Sequence, residues 1–403
     1  MLLICGFSTV GLMTAAFRCP GPDPQGDPDP LVGGGGSGTG GRGAGGSNAC
    51  VAGPDEDFDD DGYTIDEGDC DDCDAAVHPG AAELPTRSGD AAVDENCDGQ
   101  RDERLTCAPA NAGQVTAAAA AHAIELCDVE GEREWGLEDA EFVGADGSTA
   151  SLSNSIYQPV ALAKQFGPAW KPQAGTDMLV LSTGHAAPGP MPANCEPDGC
   201  GDTDSVQAPP SGYPVTLSGC EAPQTIYDDI GLEVTIKPPP NAGGFSFRTA
   251  YFTREYPQSI CSPYVDQFLA LRLPKPAGWL ESNMVFDGRE MPPSVSFQPF
   301  PHCEQSKSDV WANLCQLEPA ACPEPPGMFC PEGAGLLAGT GFSEGASTGW
   351  LETTVPLVND EEFKIRFVIF DTGNIERDST VLIDGFTWLG PRDFGSLPVT
   401  EAR

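Results

Sequence analysis

Two short runs place oxygen donors at alternate positions and close on glycine. Asp57, Asp59 and Asp61 precede Gly62, and Asp94, Asn96 and Asp98 precede Gly99. This is the D-x-D-x-D-G order of an EF-hand-type calcium loop. A hard cation takes about six to eight oxygens, and a chain curling round it turns every second side chain inward. Glycine then permits the sharp turn. Tyr63 and Gln100 follow the two glycines and belong to the same candidate set. Neither run is a complete EF-hand, because Gly68 stands at the twelfth position of the first, where the loop needs Glu. The missing oxygens are assigned to Asp66, Asp69, Asp71, Asp72 and Asp74 after the first run, and to Asp102 and Glu103 after the second.

A charge run is more usually a solvated acidic loop. Here the acids have no local counter-charge, since residues 55–74 hold twelve acids and no Lys or Arg. Apposed carboxylates repel by about 4 kcal/mol per close pair at an effective dielectric of about 20. A compact segment of this composition therefore requires a cation, and the repeated ladder with cysteines threaded between favours a metal site.

In order, DFDDDGY (57–63), GDCDD (68–72), PGAAE (79–83) and NCDGQRDE (96–103) resemble the Asp-rich, MopE-like metal-binding motif. The resemblance covers about an eighth of the chain and implies a metal-binding module. One departure is the LPTRSGDAA that follows Glu83, where the family usually has a cysteine; another is the additional Cys73. Cys70 or Cys73 is expected to pair with Cys97.

The elements that must position these residues come from a long, acidic chain. Its 403 residues allow two folded units. A net charge of -41, from 20 basic and 61 acidic residues, disfavours nucleic acid and anionic membranes and favours cations or basic partners. Sixteen cysteines suggest disulfides and an oxidising compartment. Only His78, His122, His185 and His302 could supply imidazole, which leaves a His-based transition-metal site unsupported.

Residues 1–18 form an apolar run of signal-peptide length, shorter than a membrane span and lacking a positive start. They predict export. Cys19 makes the chain a lipoprotein candidate, although Phe17 and Arg18 depart from the small residues that precede a lipidated cysteine. Residues 19–50 read as a Pro-rich and then Gly-rich linker. No strand precedes its glycines, so they do not form a phosphate loop. Residues 51–106 follow as the metal-binding module and 107–403 as a β-domain.

In that domain NAGQVTAAAAAHAIELC predicts one helix with Asn111 as its N-cap. From about residue 177 the period becomes two. Leu232, Val234 and Ile236 share a face, as do Phe245, Phe247 and Tyr251, and Phe363, Ile365, Phe367 and Ile369. With DMLVLST, DQFLALRL, PSVSFQP, GWLETTVPL and TVLIDGFTWL, eight or nine strands are expected. The fold class is mainly β: an antiparallel two-sheet sandwich, jelly-roll-like, with one or two helices.

VLSTG (180–184), PPNAGGFSFRTAYFTREYP (239–257), SPYVDQFLAL (262–271), WLETTVPL (350–357) and FVIFDTGNIERDSTVLIDGF (367–386) are similar to the choice-of-anchor L domain of secreted bacterial surface proteins. That resemblance implies export and a β-rich fold, and no reaction. Val265 stands where the family commonly has Asn, and no sorting motif is expected from the closing PVTEAR. Glu255, Asp266, Asp371, Asp378 and Asp384 fall at strand ends, where turn capping is the ordinary role and a further calcium site the alternative.

Three functions follow as expectations. The leading one is a non-enzymatic, calcium-binding secreted or cell-surface protein with a structural or adhesive role. Its partners would be calcium ions, surface glycans or other cell-surface proteins, with no nucleic acid and no membrane span in the mature chain. The second is an extracellular glycan binder presenting Tyr251, Trp279, Trp311 or Trp350. The third is a secreted hydrolase using sandwich carboxylates. Gly341, Ser343 and Gly345 also spell G-x-S-x-G, but a nucleophile elbow needs a strand before and a helix after.

Overall fold

Alternating apolar residues close into two antiparallel sheets in the computed structural model. It describes residues 53–107, 115–129, 131, 133–150, 152, 158–186, 206–223, 225–297, 300–303, 330–358, 361–373, 375, 377–391 and 394–403. In chain order the strands are β1 (Gly136–Val143), β2 (Val160–Ala163), β3 (Met178–Ser182), β4 (Ile226–Lys237), β5 (Gly244–Thr253) and β6 (Gln267–Leu273). They continue with β7 (His302–Cys303), β8 (Ala346–Ser347), β9 (Leu351–Pro356), β10 (Phe363–Thr372), β11 (Ser379–Leu389) and β12 (Val399–Ala402). The smaller sheet runs β1-β4-β10-β6 and the larger β12-β9-β5-β11-β3-β2, with β7 and β8 extending it beside β5.

Period-two patterning sets which side faces the partner sheet. Leu232, Val234, Ile236, Phe363, Ile365, Phe367 and Ile369 meet Phe245, Phe247, Tyr251, Val381 and Ile383 in one core. Each fully buried aromatic or branched side chain contributes about 1.5–3 kcal/mol. The outer faces are covered as well. Phe166, Trp170, Phe252, Phe342 and Leu382 form a second cluster behind the larger sheet, and Leu269, Leu271, Val368 and Phe370 a third behind the smaller.

Local chemistry departs from the expected elements in three places. The alanine-rich helix α1 spans Ala117–His122, and its N-cap is Thr116, whose hydroxyl accepts the Ala119 N–H at 3.1 Å. Asn111 lies outside the described residues. PSVSFQP is not a strand over its described residues 293–297: Phe297 N–H turns back to Ser294 O at 3.0 Å, and the buried Val295 and Phe297 pack through that turn. Pro292 and Pro293 offer no ladder donor there. Strands β1, β2, β7, β8 and β12 add to the expected set. Among the described residues, no helix is long and apolar enough to cross a membrane.

Residues 53–107 fold as loops around the short 3-10 turn Ile65–Glu67 and belong to the same compact unit as the sheets, Cys50–Arg403. Ala82 and Leu84 of the PGAAEL segment enter the main core. Buried Asn241 accepts the Ala82 N–H at 3.3 Å and donates to Ala82 O at 2.8 Å and Ala76 O at 3.3 Å. Trp135 Nε1 donates to Gly80 O at 2.7 Å. Disulfides join Cys70–Cys97, Cys107–Cys127, Cys220–Cys261 and Cys303–Cys330. Cys73 is also disulfide-bonded. Cys195, Cys200, Cys315 and Cys322 lie outside the described residues, as do the apolar start and the Pro/Gly-rich linker.

Candidate metal centre

Backbone amides build the first ladder. Gly62 N–H donates to Asp57 Oδ2 at 3.0 Å, Asp61 N–H to Asp59 Oδ1 at 3.2 Å, and Tyr63 N–H to Asp61 Oδ1 at 2.8 Å. Gly62 has φ of 97°, a conformation that favours glycine. Farther on, Asp71 N–H donates to Asp69 Oδ1 at 2.9 Å and Phe58 N–H to Asp72 Oδ1 at 3.0 Å, folding the acidic run back on its own start.

Each of these carboxylates has one oxygen held by the backbone. The other oxygens of Asp57, Asp59, Asp61 and Asp69 are buried and accept no hydrogen bond. Ligand oxygens of Asp57, Asp59 and Asp61 lie within 4.8 Å of one another, and so do those of Asp59, Asp69 and Asp72. Asp59 therefore joins two trios. Burial, and then the neighbouring charge of Asp61, push Asp59 above the ordinary carboxylate range. Burial likewise raises Asp69, with Asp61, Asp72 and Asp71 adding to it against the Asp71 amide. Buried oxygens left without donors are costly unless a cation takes them. The residues present fit a hard divalent ion.

The second ladder repeats the backbone pattern. Gly99 N–H donates to Asp94 Oδ2 at 2.9 Å, Asp98 N–H to Asn96 Oδ1 at 2.9 Å, and Gln100 N–H to Asp98 Oδ1 at 2.7 Å. Its free capacity differs. Asp94 Oδ1 also accepts the Asp98 N–H, Asp98 Oδ2 accepts from Gln100 Nε2, and Asn96 Nδ2 donates to Glu103 Oε1. No three acidic, His or Cys ligand atoms converge there among the described residues. Glu103 Oε2 and Glu95 Oε2 are nevertheless buried without a hydrogen bond.

Of the other candidates, Asp66, Asp71 and Asp74 are exposed and outside the convergent trios. Asp74 Oδ1 accepts the Ala76 N–H, and Asp102 Oδ1 accepts both the amide and hydroxyl of Thr86, so both order turns. Tyr63 stacks on His78 with ring centroids 5.1 Å apart. Two acids outside the candidate set matter. Glu83 grips the second loop through the Asn96 and Asp102 amides at 3.1 and 2.9 Å. Glu95 is pushed up to about 7 by burial and then by Glu83. The P-G-A-x-E element was the signal for Glu83; Glu95 had none beyond its position inside the second ladder.

Cys70–Cys97 holds the two loops together, with a Cα–Cα distance of 5.6 Å. A cleft of about 510 Å³ separates the second loop from the sandwich, bordered by Glu83, Asn96, Glu103, Trp135 and Trp388. Elsewhere, Tyr251 and Trp279 are core side chains, Trp350 is partly buried against the second cluster, and Trp311 lies outside the described residues. Ser343 sits in a turn that leads into strand β8, which is not the context of a nucleophile elbow.

Residues 69–103 match the family model described as "Putative metal-binding motif", Cu-binding MopE. The match begins after the first aspartate ladder and includes Asp69, Asp72, Glu83 and the whole second loop. No curated protein and no solved structure matches the chain. The matched motif and the convergent acids together mark a metal-binding protein.

Proposed function

We propose that the chain is a secreted or cell-surface calcium-binding protein in which the ion stiffens the loops at 53–107 against a disulfide-supported β-sandwich. The role is structural or adhesive, and no reaction is assigned to it. The observation that carries the reading is the set of buried, unpartnered oxygens on Asp57, Asp59, Asp61 and Asp69, each aimed inward by a backbone hydrogen bond to its twin oxygen.

The matched family's name points to copper, but the chemistry of this donor set favours calcium. All the convergent ligands are carboxylates, which suit hard cations, whereas copper favours imidazole, thiolate or thioether. Cys70 and Cys73 are in disulfides, and His78 directs Nδ1 at Pro79 O, 3.0 Å away. Export is supported by the disulfides and the apolar start. The sequence resemblance of about 107–390 to the choice-of-anchor L domain would, if it holds, imply a surface setting.

Isothermal titration of the full chain with calcium, magnesium and copper(II) tests the reading. Calcium heat at sub-millimolar to millimolar concentration is expected. Copper binding that excludes calcium, or no calcium heat at all, would overturn it.

A further inference from the structure

Five strands carry their inward period past the apolar core and into oxygen donors at the same end of the sandwich. On β10, Phe367 and Ile369 are followed by Asp371; beside it, Asp266 precedes Phe268 and Ala270 on β6. Residue pairing puts Phe370 opposite Gln267, so Asp371 and Asp266 are the next facing pair. From the opposite sheet, Tyr251 leads through Thr253 to Glu255, Leu181 leads to Thr183, and Val381 is preceded by Ser379. Asp266, Asp371, Glu255, Thr183 and Ser379 are all buried.

We propose that this end of the sandwich holds a second divalent-cation site, of the calcium class, with Asp371 and Asp266 as facing carboxylates and Asp378 and the Thr183 hydroxyl beside them.

Asp371 is the observation that points to a ligand. It is 0% exposed, and neither of its carboxylate oxygens meets a donor in full hydrogen-bonding geometry, although Asp266 and Thr183 lie close enough to act on it. The Thr183 hydroxyl near it donates to Ser379 O at 3.4 Å. Its neighbours are otherwise acidic: the charges of Asp266 and Asp378 both act on it. Asp266 is held rigidly, with Oδ1 accepting the Thr372 N–H at 3.1 Å and Oδ2 the Ser379 hydroxyl at 2.8 Å. Asp378 crowds Gly184 so closely that a Cβ there would lie 2.1 Å from Oδ2, so the backbone is shaped around this carboxylate. Among the described residues, Arg377 is a cationic group whose charge reaches the cluster, acting on Glu255.

The donors are all oxygens, as calcium requires, and no imidazole or thiol is among them. Among the described residues, the trios that meet within 4.8 Å are those at 57–72. Ion binding at the sandwich end must therefore draw Asp378 and the Asp266–Asp371 pair together. The competing arrangement is a proton shared by Asp266 and Asp371 with no metal.

Native mass spectrometry of the full chain in calcium separates the two. Asp371→Asn should bind one calcium fewer than wild type, and the same loss should recur when the Asp371→Asn change is added to an Asp59→Asn chain. Equal calcium counts for wild type and Asp371→Asn would overturn the site. Because Asp371→Asn could fail to fold, crystals of the wild-type chain grown with terbium provide an independent arm. An anomalous peak between Asp266 and Asp371 is expected, and its absence there overturns the proposal whatever the ladder at 57–72 binds.

Discussion

Replacing Asp69 by Asn should stabilise the chain in chelator and lose most of that gain when calcium is added. Asp69 is 4% exposed and joins Asp59 and Asp72 in a trio of oxygens within 4.8 Å. At that separation two like charges repel by about 3.5 kcal/mol at an effective dielectric of about 20. Water reaching the partly exposed Asp59 lowers this, and about 2 kcal/mol is a reasonable net relief per removed charge. Asn can keep its oxygen on the Asp71 amide, so local geometry survives. In chelator, Asp69→Asn should therefore melt a few degrees higher than wild type, about 2 °C per kcal/mol for a unit this large. In millimolar calcium most of that advantage should disappear, because loss of one charged ligand weakens binding by about tenfold, or about 1.4 kcal/mol. Differential scanning calorimetry under both conditions reads the difference between the two shifts. A variant that is less stable by the same amount in chelator and in calcium would show that Asp69 only packs, and the argument would fail.

Asn241→Ala removes three hydrogen bonds to Ala76 and Ala82 and should cost about 1–3 kcal/mol in denaturant unfolding, with calcium affinity falling as the loops at 53–107 loosen. Cys70→Ala with Cys97→Ala opens a link of sequence separation 27 and should cost about 3 kcal/mol by the chain-entropy account; it should also weaken calcium binding measured by titration. Glu125 is pushed up to about 8 by burial and then by Asp384, which burial raises as well. The folded pair therefore keeps a proton that the unfolded chain gives up in the ordinary carboxylate range. Its stabilisation is full in acid and is lost as pH rises through about 8. Glu125→Gln retains an acceptor for the Gly385 amide, and its melting temperature should fall less than that of wild type between neutral and alkaline pH.

Much of the β-domain was legible because β4, β5 and β10 each contain an alternating stretch, Leu232–Lys237, Phe245–Arg248 and Phe363–Phe367. Strand β1 was not, since Glu138 and Asp139 interrupt its pattern at a register shift between Leu137 and Asp139. Strand β12 is an exposed edge with no apolar face to detect. PSVSFQP alternates like a strand, yet its prolines and long-range packing make it a turn, and the alanine run begins its helix only where Thr116 caps it. The burial of both sheet faces is tertiary: Phe252 and Phe370 point away from the main core and are covered by segments distant in sequence.

The first metal ladder was legible for the opposite reason. Its geometry is local, each aspartate being fixed by an amide within a few residues, and the backbone pattern recurs in the second loop. What the spacing could not show is which acids after Gly62 fold back. Asp69 and Asp72 do so, whereas Asp66, Asp71 and Asp74 stay exposed. Nor could it bring Asp266 beside Asp371, which lie on strands whose pairing only the folded sheet supplies.

Hydrogen–deuterium exchange across residues 53–74 of the full chain, with chelator and with calcium, tests the central claim most directly. The amides of Asp61, Gly62, Tyr63 and Asp71 are bonded to the cluster's own carboxylates. They should exchange quickly in chelator and become protected as calcium is added. Exchange that is equally fast in both conditions would contradict the account.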